Sequence, residues 1–462
     1  MSLMFNRRDA IRVGGVSVAA TAFGPELEAA RFGKGKADSV IFLWMAGGVT
    51  HIDSFDPKPD APVEISGTLD TISTSLPGVQ FCETVPEMAK IAHKISLVRS
   101  YSHDSNDHLL SQVYTLSGRK VDMTKLYSEP NIGSMISHLK GPRNGLPGYI
   151  AIPGITRPGP PPYNFFVGGW LGSRHRPYCL GGLPEQPDFT VGEKLDDPPS
   201  NLEDDLTPKS LALGEDVSAG RLNRRAALRS RFDSALRDVE SQEVDALEGK
   251  YQDALRLLSN QKVRSAFELD SEPDAIREQY GRTKLGGRCL MARRLVEAGA
   301  RFVMVDYGYD PDYGNIWDNH NAPSQNHPPI QQMVKRGYHL AGMDKAFAAL
   351  INDLEDRGML ERTMVVFLTD FGRTPKINAN GGRDHWGAAG SIFFTGGGVK
   401  RGQVIGRTDD HAAEPLTRPY GPDAIAATIY AGLGINTNST VYDILERPRL
   451  VLDTGEAIPE LF

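Results

Sequence analysis

Aspartate and histidine gather at four places along this chain of 462 residues. The first group is His51 and Asp53; the second is His103, Asp104, Asp107 and His108; the third is Asp318 and His320; the fourth is Asp370, Asp384 and His385. Carboxylates and imidazoles at such spacings can hold a divalent cation or move protons. Mixed oxygen and nitrogen donors suit zinc or manganese better than calcium or magnesium, which prefer oxygen alone. The same residue types also cap helices and make buried hydrogen bonds. Asp370 therefore reads as a ligand or as a cap, His385 as a ligand or as a hydrogen-bonded ring, and the run from Ser102 to His108 as donors or as the cap of a following helix.

Each group follows an apolar run that would carry it. Met364 to Leu368 is almost wholly apolar and breaks into Thr369-Asp370-Phe371-Gly372-Arg373-Thr374-Pro375. A run of that kind is a strand buried on both faces, so Asp370 is expected at the carboxyl end of a central parallel strand, where open α/β sheets keep their ligands. The loop Lys376 to Gly382 then returns Asp384 and His385 to the same edge. Ser39 to Ala46 reads as the first strand, ended by Gly47-Gly48 just before His51 and Asp53. Ser96 to Ser100 delivers the second group, followed by an amphipathic helix from Leu109 to Ser117. Arg301 to Asp306 precedes Asp318 and His320 across a turn rich in glycine and tyrosine.

Helices are expected over Pro86 to Ile95, Lys284 to Ala298, Gln331 to Arg357 and Pro422 to Leu433, with one more strand over Ser391 to Thr395. This alternation predicts an α/β fold with a mostly parallel central sheet and helices on both faces, which would bring the four groups to one edge. Gly145 to Gly182 is rich in proline, glycine and aromatics and reads as irregular. Arg221 to Gln261 reads as a long charged helix with a narrow apolar stripe, inside an insertion over residues 186–280.

Hydrophobic residues make up 40% of the chain and the mean hydropathy is −0.33, as in a soluble globular protein. A formal charge of −7 argues against a nucleic-acid partner, which needs a basic face. Cys82, Cys179 and Cys289 are far apart and read as buried thiols. There is no G-x-S-x-G elbow, Walker A loop, H-E-x-x-H or dinucleotide fingerprint. At the N-terminus, Arg7 and Arg8 precede a weakly apolar segment, Val13 to Phe23, too short to span a bilayer. This resembles a twin-arginine signal, which exports folded proteins; a basic frayed helix is the alternative. Residues 1–36 are thus expected to be signal and linker, residues 37–462 the α/β domain, and the mature protein periplasmic or extracellular with no stable membrane span.

Several motifs together resemble a known family. Ile41 through Trp44, Gly47-Gly48 and Asp53 to Asp56-Pro57-Lys58-Pro59, the T-D-F-G-R-T-P run, Gly382-Arg383-Asp384-His385-Trp386 and Gly396-Gly397-Gly398-Val399-Lys400-Arg401-Gly402 resemble the bacterial domain-of-unknown-function 1501 proteins. That family is similar to the alkaline phosphatase and sulfatase superfamily, which implies an alkaline-phosphatase-like parallel sheet with a metal site at the strand ends. On that resemblance Asp318, His320 and His385 look like the Asp, His and His of one metal site, and Asp370 like the Asp of an Asp-His pair. Phe371 stands where the second histidine of that pair belongs, Met45-Ala46-Gly47 ends a strand that should end in Asp, and His108 stands where a Ser, Thr or Cys nucleophile belongs.

The expected function is an exported, metal-dependent hydrolase of phosphate or sulfate esters, with a small-molecule or glycan ester as substrate. The alternative is a non-catalytic, metal-stabilised binding protein on the same scaffold. Expected metal ligands are His103, Asp318, His320, Asp370, Asp384 and His385. His108 is expected as nucleophile unless a metal-activated water serves, with Asp370 orienting or deprotonating that water. Arg373 and Arg383 would neutralise the ester anion, or else merely pair with Asp370 and Asp384.

Overall fold

Apolar runs of five or six residues form the middle of one eight-stranded sheet in the computed structural model, which describes residues 35–154, 167–181, 202–204, 206, 257, 260–321 and 327–462. Its strands are β1 (Ser39–Trp44), β2 (Ser96–Tyr101), β3 (Tyr149–Ile152), β4 (Tyr178–Cys179), β5 (Phe302–Asp306), β6 (Thr363–Leu368), β7 (Gly390–Thr395) and β8 (Gln403–Ile405). Across the sheet the order is β8-β2-β7-β6-β1-β5-β3-β4. β1 lies between β6 and β5, parallel to both, and every residue of these three strands is buried. Only β7 runs against its neighbours, β6 and β2.

The side chains of β1 alternate between two cores. Ile41 and Leu43 face one, Val40, Phe42 and Trp44 the other. The helices include α1 (Pro86–Lys90), α2 (His108–Ser117), α3 (Ile132–Lys140), α4 (Lys284–Ala298), α5 (Leu340–Asp356) and α6 (Pro422–Gly432). The first core is covered by α1, α4 and α5 and the second by α2, α3 and α6. The fold is therefore the expected mostly parallel sheet between helical layers.

Several elements differ from the sequence expectation: the helix expected over Pro86 to Ile95 ends at Lys90 and is followed by a 3-10 turn at Ala92–Lys94, and α3 was not expected. The helix expected over Gln331 to Arg357 is broken into Ile330–Met333 and α5. The ring of Tyr338 stacks on Tyr313 at 4.4 Å and His339 Nε2 meets Asn319 Oδ1 at 2.8 Å, so these two anchored side chains hold the backbone out of helical geometry. The region read as irregular contributes β3 and β4 to the sheet, with β3 wholly buried. β8, three residues long, had no strand signal of its own. The segment read as a signal lies outside the described residues except for positions 35 and 36, as does nearly all of the helix expected over Arg221 to Gln261.

Because β1, β2, β5 and β6 are co-directional, the loops leaving their carboxyl ends share one edge. That edge collects all four Asp and His groups.

Candidate metal and acid-base site

Asp318 Oδ1 is the hub of the site. His320 Nε2 and His385 Nε2 each lie 3.0 Å from it, His108 Nε2 lies 3.4 Å away, and the two closer nitrogens are 2.8 Å apart. The ligand atoms of His108, Asp318 and His385 all fall within 4.8 Å of one another.

The outer nitrogen of each ring fixes which inner nitrogen carries a lone pair. His320 Nδ1 faces Asp384 Oδ1 at 2.8 Å, His385 Nδ1 faces the Asn106 carbonyl at 2.8 Å, and His108 Nδ1 faces Asp370 Oδ2 at 2.8 Å. Each of these oxygens accepts, so each Nδ1 carries the hydrogen and, in the neutral ring, each Nε2 is a bare lone pair. When the rings are neutral, three imidazole lone pairs then converge on Asp318 Oδ1, which also accepts from Arg373 Nη2 at 2.8 Å. Bonds of about 2.0–2.1 Å to a tetrahedral zinc would hold ligand atoms roughly 3.3 Å apart, so the donor set and its spacing fit a divalent cation.

The local structure behind each donor follows from short-range chemistry. Asp107 caps α2, its side chain accepting from Leu110 N at 3.0 Å, and Gly118 closes the helix in the left-handed region at φ 71°. His108 is the first residue of that helix, and Gln112, four residues on and on the same face, adds a bond from Nε2 to Asp370 Oδ2 at 3.1 Å. Asp370 leaves β6 fully buried and takes Gly47 N on Oδ1 at 2.7 Å. The two glycines after β1, with φ of 124° and 94°, make the turn that aims that amide, and a Cβ on Gly48 would strike the Phe371 ring and Arg373.

Electrostatics follow from the packing. Burial opposes ionisation of Asp318, but His108, His320 and His385 around it hold its carboxyl well below the usual range. Burial likewise opposes ionisation of Asp370, and His108, Gln112 and Gly47 N outweigh it. Burial alone would lower His108; Asp318 and Asp370 raise it to about 9 instead. His385 falls to about 4, from burial first and then from Arg373 and His108.

Five of the expected site residues meet here: His108, Asp318, His320, Asp370 and His385. The others have different places. His103 uses both ring nitrogens, Nε2 donating to the Asp370 carbonyl at 2.5 Å and Nδ1 accepting from Ser105 N at 3.2 Å, which leaves no lone pair for a metal. Asp384, expected as a ligand, stands behind His320 as a hydrogen-bond acceptor, and Asp370, though it is among the five, does the same behind His108. Arg383 is fully buried and bidentate to Asp53 at 2.8 and 3.0 Å, with further bonds to the Ile65, Thr374 and Pro375 carbonyls. Arg373 is buried against the Gly47, Gly48, Trp317 and Arg383 carbonyls and Asp318 Oδ1. The arginines thus pair with Asp53 and Asp318, not with Asp384 and Asp370, and neither presents its guanidinium to solvent. Ser111 Oγ bonds to Ser105 Oγ at 2.9 Å, and both hydroxyls point into that turn. Sequence reasoning missed Gln112, which the i, i+4 spacing from His108 marks, and the Asn106 carbonyl, which no residue type marks.

The sequence matches the family described as a protein of unknown function (DUF1501) over residues 37–462. The chain belongs to this family. A search of the curated proteins returns no match. Among solved structures, the phosphonate monoester hydrolase SpPMH from Silicibacter pomeroyi is similar at a TM-score of 0.39 and 11% identity, covering 87% of this chain and 74% of that one. The PsFucS1 sulfatase from Pseudoalteromonas sp. gives 0.30 and 13%, covering 91% and 71%. The lipoteichoic acid synthase LtaP from Listeria monocytogenes gives 0.31 and 9%, covering 90% and 79%. At such scores these are likenesses only, and no chemistry passes from them to this DUF1501 chain. No helix among the described residues is long and apolar enough to cross a membrane.

Proposed function

We propose that this DUF1501 protein is an exported, metal-dependent hydrolase of phosphate or sulfate esters in which His108 and Asp370 form the acid-base pair. The observation that carries the reading is the orientation of His108: Nδ1 is tied to Asp370 at 2.8 Å, while the buried Nε2 makes no hydrogen bond and lies 3.4 Å from Asp318 Oδ1. Asp318, His320 and His385 would hold the cation, zinc or manganese by their donor types. When bound, it supplies Lewis-acid chemistry, charge for an ester oxygen and a lowered water pKa. With the charge of a cation on Asp318 opposing protonation of the ring, His108 Nε2 would take the proton of the attacking water, and Asp370 would keep the ring in the tautomer that can do so. The protonated ring then returns that proton to the leaving alkoxide as the ester bond breaks. His108 is thus a base and not the nucleophile. Arg373 and Arg383 take no part in binding the ester, since their N–H groups are spent inside the protein.

His320 and His385 are the partly exposed ligands, so a small-molecule or glycan ester would approach from their side. Export would follow from Arg7 and Arg8. A second reading has a specific support: if His108 Nε2 joins the other three donors, the shell is closed, as in structural sites, and the protein binds without catalysis. The deciding experiment measures metal content of protein purified without chelator together with hydrolysis of p-nitrophenyl phosphate and sulfate. Bound metal with turnover that chelation abolishes and added metal restores supports the hydrolase; bound metal with no turnover on any ester supports the closed shell.

A further inference from the structure

The four Asp and His groups occupy the carboxyl edge of the sheet, and the opposite edge gathers cations. Ser39 of β1 pairs with Thr363 of β6, and Val40 with Phe302 of β5, all in parallel. Arg362, Asp38 and Arg301 therefore enter three adjacent strands side by side, each strand about 4.8 Å from the next. The loop after α3 brings Lys140 and Arg143 to the same edge. Arg301 Nε donates to the Gly141 carbonyl at 3.1 Å. Arg143 reaches back, Nε to the Gly299 carbonyl at 2.6 Å and Nη2 to Ser39 Oγ at 2.7 Å and the Ala300 carbonyl at 3.2 Å.

Helix ends account for part of this. Lys140 is the last residue of α3 and Arg143 takes the carbonyls that follow α4, where a cation offsets the negative end of each helix, about half a charge apiece. The donors exceed that need. Asp38, the carboxylate among these side chains, is ion-paired to Arg362. Among the described residues, half-buried Lys140, Arg143 and Arg301 have no ion pair, and Lys140 Nζ, Arg143 Nη1 and both Nη atoms of Arg301 make no hydrogen bond. Burial first, and then the Arg301 charge, pull Lys140 and Arg143 below their ordinary values, against Asp38. Arg301, Arg143, Lys140 and Arg362, set against Asp38 and two helix ends, leave an excess of about two positive charges in a chain whose formal charge is −7. The turn between them is open: Gly141 has φ 64°, and a Cβ there would meet nothing within 4 Å. Cations that repel one another, with donors left over around an open turn, suit an oxyanion, whose oxygens match the guanidinium fork.

We propose that Lys140, Arg143 and Arg301 form a binding site for a phosphate group, free in solution or as the headgroup of an anionic lipid, on the sheet edge opposite the candidate metal centre. The inference depends neither on the cation nor on hydrolysis. Its test compares wild type, Lys140→Gln and Arg301→Gln by calorimetric titration with inorganic phosphate and by cosedimentation with vesicles of phosphatidylcholine, alone or mixed with phosphatidylglycerol. Any phosphate held at the metal centre is common to all three proteins, so the difference between them reads this edge. A phosphate site in wild type that is at least about tenfold weaker in each variant supports the proposal with the free anion as ligand. Cosedimentation that requires phosphatidylglycerol and is lost in each variant supports it with the headgroup as ligand. Binding of neither probe by wild type, or binding that Lys140→Gln leaves unchanged, overturns it. If Arg301→Gln does not fold, Lys140→Gln decides alone, since the side chain it replaces makes no bond on which folding depends.

Discussion

Asp384 and Asp370 were both expected as metal ligands, yet they differ in depth. Asp384 has a side chain 53% exposed and reaches the site only through the His320 ring, whereas Asp370 is wholly enclosed. Replacing Asp384 by Ala removes the acceptor that fixes the His320 tautomer. We expect metal affinity to fall about 10–100-fold, measured by competition with a chromogenic chelator, with little change in melting temperature. Unchanged affinity would take His320 out of the shell. At this scale the sequence named five of the residues that meet but missed Gln112 and did not show what each does. Asp and His types mark possible donors, while the atom each lone pair finds depends on loops such as Thr374 to Gly382. The arginines show the same limit: Arg383 finds Asp53, 330 positions away, which no local pattern announces.

Elements set the site by where they end. α1 begins with Pro86 and has no side-chain cap from its own N-cap residue. Asp344 of α5 does that work from another element, accepting from Glu87 N and Met88 N at 2.8 and 2.7 Å. Burial pushes its carboxyl up to about 7, against the pull of those two amides. The folded state therefore holds a proton that the unfolded chain releases near pH 4. This contribution to stability is fully present below that pH, falls as pH rises, and is gone above about 7. Relative to Asp344→Asn, wild type should lose melting temperature between pH 4 and 7. A difference between the two that is constant across this window would show that the carboxyl stays ionised. The strands were legible because β1, β5 and β6 are long apolar runs; β3 was not, because four residues among prolines and glycines carry too little pattern. The break before α5 depends on Tyr338 meeting Tyr313, a tertiary contact hidden from helical periodicity.

For the molecule as a whole, the alternation of strands and helices was enough to predict one edge for all four groups, and the sheet order bears this out. That edge could be foreseen because direction in a parallel sheet is set by topology, not by detail. The proposed export is tested on the whole chain too: replacing Arg7 and Arg8 together by Lys should leave the precursor in the cytoplasm, read by cell fractionation, and unchanged export would mean another route. The central claim, that His108 is the base of a cation-assisted hydrolysis, is tested most directly by metal-loaded His108→Ala. If His108 acts as base, the variant keeps its bound metal while turnover of the ester falls about 10²–10⁴-fold. If His108→Ala instead loses the metal, His108 is a ligand of a closed shell; if it keeps both metal and turnover, the His108 and Asp370 pair has no part in the reaction.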